Sequence, residues 1–334
     1  MPNSKWKVSD IPSQSGRRVV ITGANSGIGF HTALELARRG AEVVLPARTE
    51  AKVADAAQRI RAAVPDAKLT PAILDLASLA SVRSFATWYA EKYPGQSIDL
   101  LINNAGVMAV PKRELTVDAF ERQFATNYLG PFLLTALLFP QLRPQAGTRV
   151  VTVASTAANF GKIEFDNLQS ERKYSPMWGT YSQSKLADLM FAIDLQRRLS
   201  AKQSPILSTA AHPGYSVTNL QTSGPGNGFS LLSMMMAMMK PIVSQDAAHG
   251  AWPTLLAATS PDAVPGGYYG PQGFQELKGE PGVAKIPTAA NDAAVAKRLW
   301  LETERLTGVI FDVGSQVERE VRRNVADSVM ESLS

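Results

Sequence analysis

Tyr181 and Lys185 stand four residues apart in an amphipathic run over 178–199 that reads as helix. Four residues is about one helical turn, so the two side chains share a face, with Cβ atoms ~5–6 Å apart. A tyrosine in water is almost wholly neutral at pH 7 and transfers protons poorly there. A cation about 4–5 Å away stabilises a phenolate by roughly 3–4 kcal/mol at an effective dielectric of ~20, which opens general acid–base chemistry near neutral pH. An ordinary surface tyrosine and lysine would show the same spacing. The pair gains meaning only from the elements that position it.

Those elements alternate. Residues 18–22 are a short apolar run between Gly16 and Gly23, the pattern of a buried parallel strand. Thr22-Gly23-Ala24-Asn25-Ser26-Gly27-Ile28-Gly29 follows, then a helical pattern closed by Gly40. Strand, glycine turn and helix form the context of a dinucleotide fingerprint, in which glycines let the backbone approach a pyrophosphate and helix N–H groups meet it. The second strand, 42–45, leads to Pro46-Ala47-Arg48. An acid at that exit would bind the ribose 2′-hydroxyl of NAD, whereas an arginine accommodates the 2′-phosphate of NADP. Arg48 therefore predicts NADP(H) in preference to NAD(H).

Further strands are expected over 69–74, 98–102, 149–154 and 206–211, with helices to about 63 and over 79–93 and 116–139. A last short strand is expected at 266–271 and helices over 244–258, capped by Ser244, and 291–307. The fold class is α/β, a doubly wound (Rossmann) parallel sheet of about seven strands with helices on both faces. Polar or glycine strand exits place ligand chemistry at the carboxyl ends. The chain reads as a single domain, 1–334. Residues 16–215 form its cofactor and catalytic core, 216–250 a substrate lid and 251–334 a C-terminal extension. Five methionines fall within 234–239, an adaptable apolar surface next to the glycines at 224, 226 and 228.

Composition removes other chemistries. Among 334 residues, 45% hydrophobic, there is no cysteine, so disulfides and thiolate sites are excluded. His31, His212 and His249 are too scattered to suggest zinc. The net charge of +5 comes from dispersed basic pairs, which speaks for a solvated surface and against nucleic-acid binding. Residues 1–16 lack the apolar core of a signal peptide, and the longest apolar run, about 229–239, is too short to span a membrane. A cytoplasmic protein without a transmembrane segment is expected.

Together these motifs resemble the short-chain dehydrogenase/reductase family over about residues 16–310. Thr22-Gly23-x-x-x-Gly27-x-Gly29 matches its cofactor turn, Asn103-Asn104-Ala105-Gly106 its fourth-strand motif, and Tyr181-x-x-x-Lys185 its catalytic pair. Asn167-Leu168-Gln169, His212-Pro213-Gly214 and Tyr269-Gly270-Pro271 are most similar to the retinol-dehydrogenase-like branch. The resemblance implies catalytic roles for Tyr181, Lys185, Ser155 and Asn127, the last completing a proton relay to Lys185. It assigns cofactor contacts to Gly23, Asn25, Ser26, Gly27, Ile28 and Gly29, to Arg48, Asp75 and Leu76, and to Asn103, Ala105 and Gly106. Tyr181, Lys185, Pro213, Gly214, Val217 and Thr218 complete that set.

The implied reaction is direct hydride transfer between NADP(H) and a small hydrophobic carbonyl or alcohol, with Tyr181 as proton donor. Phe160, Trp178 and Tyr215 are the expected substrate contacts, with Val107, Met108 and Asn159 nearby. One feature departs from the family: Ser155 lies twenty-six residues before Tyr181 rather than about a dozen, which implies an insertion around 162–176. Such an insertion would cover the helix face on which family tetramers form, and homo-oligomerisation stays open. Two rival readings are an epimerase or dehydratase, against which the glycine spacing argues, and a non-catalytic NADP sensor or scaffold, against which the intact Tyr181–Lys185 pair argues.

Overall fold

The computed structural model describes residues 6–95, 97–215 and 245–314. Eight strands form one sheet: β1 (Arg18–Ile21), β2 (Glu42–Ala47), β3 (Lys68–Ile73), β4 (Leu100–Asn103), β5 (Arg149–Val153), β6 (Leu207–Ala211), β7 (Tyr268–Pro271) and β8 (Pro281–Val283). Their spatial order is β3-β2-β1-β4-β5-β6-β7-β8. The first seven are parallel, and β8 runs antiparallel to β7 with Gly270 opposite Gly282. The eighth strand lies beyond the expected last one. β4 and β5 bury every residue, as central strands covered on both faces must. Pro71 is tolerated because β3 is the edge strand. Pro46 extends β2 beyond Val44, its last pairing with β1, where the ladder needs no donor on that side.

Helices α1 (Gly27–Arg38), α2 (Glu50–Ala63) and α7 (Ala247–Thr259) pack one apolar core against the sheet. Helices α3 (Leu79–Lys92), α5 (Gly130–Leu138), α6 (Ser182–Ala201) and α8 (Ala293–Thr307) pack the other. The strand order reverses at β1, so the crevice between the exits of β1 and β4 is the switch point where ligands bind in such sheets.

Two helix starts differ from expectation. The helix expected over 116–139 begins only at α4 (Arg122–Phe124), runs through a π-helical turn (Ala125–Leu129) and continues as α5. Residues 116–120 instead form a turn in which Thr116 N–H donates to Phe120 O and Ala119 adopts φ +62°. Polar side chains here serve as caps: Asp118, within the turn, accepts from Leu79 N–H at the start of α3, and Glu121, just after it, accepts from Gln123 and Phe124 N–H. Likewise α7 is capped by Asp246, which accepts from His249 N–H at 2.8 Å, and not by Ser244, which lies outside the described residues.

Every residue of α6 from 182 to 196 is buried. The 162–176 segment covers its first turn, with Glu164 N–H donating to Gln183 Oε1 at 2.8 Å and Ser170 bonded to Thr180 at 2.8 Å. Further along, α6 packs against β5 and β6 and against α8, whose Trp300 stacks on Phe311 (4.9 Å) and meets Phe132 edge-on (4.9 Å). Truncating an aromatic buried like Trp300 costs about 3–5 kcal/mol, so α8 is integral to the core. No helix among the described residues is long and apolar enough to cross a membrane.

Candidate active site

The exits of β1 and β4 are locked to each other by bonds between side chain and backbone. Thr22 Oγ1 accepts from the N–H groups of Asn104 and Ala105, each at 3.0 Å, and Asn104 Nδ2 donates to Thr22 O at 2.9 Å. The chains come so close that a Cβ on Gly23 would lie 2.9 Å from Ala105 Cα. One on Gly29 would lie 2.3 Å from Asn104 Nδ2. Ser26 caps α1 without a side-chain hydrogen bond, and among the described residues no side chain accepts from the first-turn N–H groups. A surface only glycine can form, beside unclaimed helix N–H groups, fits a dinucleotide pyrophosphate.

These turns line one cleft of about 790 Å³. Of the expected cofactor residues, Gly23, Asn25, Ser26, Gly27, Ile28, Gly29, Arg48, Asp75, Leu76, Ala105, Gly106, Tyr181, Lys185 and Pro213 line it. Asn103 does not. Its side chain is buried on the far side of the β4 exit and donates to Thr135 Oγ1 at 2.9 Å, while Asn104 takes the place on the cleft. Gly214 sits one residue behind Pro213, with φ +62° and no room for a Cβ beside Leu277 O (2.3 Å). Val217, Thr218 and the methionines at 234–239 lie outside the described residues. At the cleft end near β2, Arg48 is joined by Lys52 and Arg59. Arg59 stacks on Phe30 at 4.0 Å, pairs with Asp55 at 3.1 Å and donates to Asn25 O at 3.5 Å, beside the glycine turn.

Tyr181 closes a π-helical turn (Pro176–Tyr181) that leads into α6. Asn127 sits inside the other π turn, the one between α4 and α5. An added residue in a helical turn re-aims the side chains around it, a device frequent at functional sites. Asn127 Oδ1 accepts from Val107 N–H (2.7 Å), and its Nδ2 donates to Val107 O (3.0 Å) and Ser184 Oγ (2.9 Å). Ser184 Oγ in turn donates to Tyr181 O at 2.8 Å. The two π turns are thereby tied through one buried serine. Ser182 faces away and donates to Met177 O at 3.0 Å.

Lys185 is buried and donates to Val153 O (3.0 Å) and to Asp188 (2.9 Å), its Nζ lying 6.0 Å from the Tyr181 ring centre. Tyr181, Lys185 and Asp188 fall at i, i+4 and i+7, one face of α6. Burial alone would lower the Lys185 pKa, but Asp188 and Tyr181 outweigh it and keep the ammonium above its ordinary value. Burial pushes the Asp188 carboxyl up to about 7, against the pull of Lys185. Sequence reasoning missed Asp188, Asn104 and Ser184. An acid in the apolar face of a buried helix, three residues from Lys185, was the available signal for the first.

Ser155 lies two residues beyond β5 and caps the 3₁₀ turn Thr156–Phe160, its Oγ accepting from Ala157 N–H at 3.2 Å. That turn lies directly on the start of α6: a Cβ on Gly161 would fall 2.4 Å from Ser182 O. The 162–176 segment thus lengthens the path from Ser155 to Tyr181 without separating their elements. Ser155 itself lies outside the residues that line the cleft. Phe160 and Trp178 meet edge-to-face at 5.4 Å and are each 65% exposed, and neither lines the cleft. Tyr215 is held by backbone, donating to Leu277 O at 2.7 Å and accepting from Gln245 N–H at 3.0 Å. Val107 and Met108 do line the cleft.

The sequence pattern of the short chain dehydrogenase family matches residues 17–225. The chain is 39% identical over 303 residues to mouse (Mus musculus) polyprenol dehydrogenase, covering 89% of this chain and 86% of that protein. It is 41% identical over 299 residues to human (Homo sapiens) retinol dehydrogenase 13, covering 88% and 85%. Among solved structures, an uncharacterised Mycobacterium paratuberculosis protein superposes with a TM-score of 0.75 at 41% identity, covering 92% of this chain and 99% of that one. A Burkholderia cenocepacia short chain dehydrogenase in complex with NADP shares the fold, with a TM-score of 0.57 at 23% identity over 77% and 96% of the two chains. With the glycine turn, the β4 exit and the Tyr181–Lys185 face meeting in one cleft, the chain belongs to the short-chain dehydrogenase family, in its retinol-dehydrogenase-like branch.

Proposed function

We propose that this oxidoreductase interconverts a hydrophobic ketone or aldehyde and its alcohol with NADP(H), using Ser155, Tyr181, Lys185 and Asn127. One observation carries the reading: Tyr181, Lys185 and Pro213 line the same cleft as the glycine turn and Arg48. The nicotinamide, when bound, supplies or takes up the hydride. The chain's own residues do the rest. Tyr181 gives its phenolic proton to the carbonyl oxygen in reduction and takes it back in oxidation. Lys185, a buried ammonium on the same helix face, stabilises the phenolate left behind. Asn127 holds the Val107 backbone at both N–H and C=O, fixing the cleft wall beside Lys185. Ser155 steadies the substrate oxygen from the turn just after β5.

Arg48 is the anchor for a 2′-phosphate, with Lys52 and Arg59 adding positive charge at the same end of the cleft. A charge-assisted contact of roughly 1.5–3 kcal/mol means Arg48→Ala should weaken NADP(H) by about ten- to a hundredfold. NAD(H) affinity should hardly change; equal loss of both would reduce Arg48 to a surface residue. The relatives named for retinol and polyprenol support a long isoprenoid alcohol or its aldehyde as the substrate class. The test is an NADPH-oxidation screen over retinoid, polyprenyl, steroid and aryl carbonyls, run in parallel with NADH. Turnover of the isoprenoid aldehydes with NADPH is expected. Tight NADPH binding without turnover of any carbonyl would instead favour a sensor or scaffold.

A further inference from the structure

Behind the cleft, polar groups with no part in the proposed chemistry connect the β7–β8 hairpin to the site. His212 follows β6 and is wholly buried, immediately before Pro213 on the cleft wall. Its Nδ1 accepts from Gly214 N–H at 3.2 Å, so Nε2 carries the ring proton and donates to Glu276 at 2.9 Å. The second Glu276 oxygen accepts from Lys285 N–H at 2.8 Å. Room for the imidazole depends on Gly270, where a Cβ would fall 1.9 Å from Nε2.

Glu276 reaches His212 only through a strained turn. Gln275 and Glu276 are consecutive non-glycine residues in the left-handed region, at φ +48° and +57°. Residues hold such conformations where the surroundings impose them, and they concentrate at ligand clamps and active sites. The same turn touches the 213–215 backbone again, since Leu277 O accepts from Tyr215 N–H and fills the space beside Gly214. On the other side of the imidazole, Tyr268 packs at 5.1 Å and its hydroxyl reaches Ser155 O at 3.5 Å. Burial pushes the Glu276 carboxyl up, but the bonds from His212 and Lys285 N–H outweigh it and hold it below the usual range. The whole hairpin lies beyond residues 17–225, the part that the family pattern matches.

We propose that Glu276 is a positioning residue for the nicotinamide end of the cofactor site, holding the Pro213–Gly214 turn against the cleft through His212. It touches neither cofactor nor substrate, and the assignment rests on the reading that the cleft binds NADP(H). The strain at Gln275 and Glu276 is what places the carboxylate on His212 Nε2. The hydrogen bond then fixes the ring so that Nδ1 can hold Gly214 N–H.

The test uses the full chain and two probes, NADPH and 2′,5′-ADP, which carries the phosphorylated adenosine half but no nicotinamide. Glu276→Ala should weaken NADPH by about tenfold or more, the scale of a lost charge-assisted hydrogen bond, and leave 2′,5′-ADP within about twofold. Glu276→Gln keeps an acceptor for the Nε2 proton and should restore most of the affinity. His212→Asn, an independent variant should Glu276→Ala not fold, should reproduce the selective loss. Unchanged NADPH affinity in either variant, or equal weakening of both probes, would overturn the assignment. Wild-type protein that bound neither probe would overturn the cofactor reading, and this assignment with it.

Discussion

The two walls of the cleft are built by opposite means. On the β1 side, position is set mainly by close backbone approach, Gly23 against Ala105 and Gly29 against Gly23 O, with one side chain, the Thr22 hydroxyl, accepting from the Asn104 and Ala105 N–H groups. On the α4–α6 side, position is set by buried side chains, Asn127 to Ser184 to Tyr181 O and Asp188 to Lys185 to Val153 O. The first wall should tolerate no added carbon. The second should tolerate no lost polar group, because each would strand a buried partner. The division suits the proposed chemistry: a pyrophosphate needs close backbone N–H groups, whereas proton transfer needs ionisable groups held at fixed distances.

The largest effect expected on this contrast is that of Tyr181→Phe. On the proposed mechanism only the proton donor is lost, so turnover should fall by about 10²–10⁴-fold while NADPH affinity, measured by fluorescence titration, stays nearly unchanged. A variant keeping more than a few per cent (roughly) of wild-type turnover would remove Tyr181 from the acid–base role.

Next comes Asp188→Ala, which leaves the Lys185 ammonium buried beside Val153 O without its anion. Breaking a buried pair in this way costs about 3–5 kcal/mol, which chemical denaturation would read directly. Loss of under about 1 kcal/mol would mean that the pair contributes no more than a surface bridge, and the contrast between the walls would weaken.

The smallest effect is Gly29→Ala. Its added carbon would sit 2.3 Å from Asn104 Nδ2 and 2.4 Å from Gly23 O, so the turn must shift. Overpacking of this kind costs roughly 1–3 kcal/mol, and the displaced turn should bind NADPH more weakly. If stability and NADPH affinity both matched wild type, the β1 wall would not be the backbone-limited surface described above.

Much of the layout was legible in the chain because it is local. The run 18–22, the glycines at 23, 27 and 29 and the helical pattern after them lie within two dozen residues, and strand, turn and helix follow from periodicity alone. The i, i+4 spacing put Tyr181 and Lys185 on one face for the same reason. Legibility failed where one residue's shift decides a side chain's direction. Asn103 and Asn104 are chemically identical, but neighbouring strand positions point to opposite faces, so the packing of Thr135 decided which one meets the cleft. The turn at 116–120 was misread because its polar residues suit a helix surface and a cap equally well.

The sequence by itself determined the alternating α/β architecture, the glycine turn, the cationic exit at Arg48 and the Tyr181–Lys185 face, since each is a property of contiguous residues. The tertiary structure alone decided the two π turns, the Asp188 counter-ion's contact with Lys185 and the link between His212 and Glu276, sixty-four residues apart. A π turn depends on where neighbouring elements pull an extra residue into the helix. A buried charge depends on which partner the packed chain brings to it, and no spacing along the sequence records either.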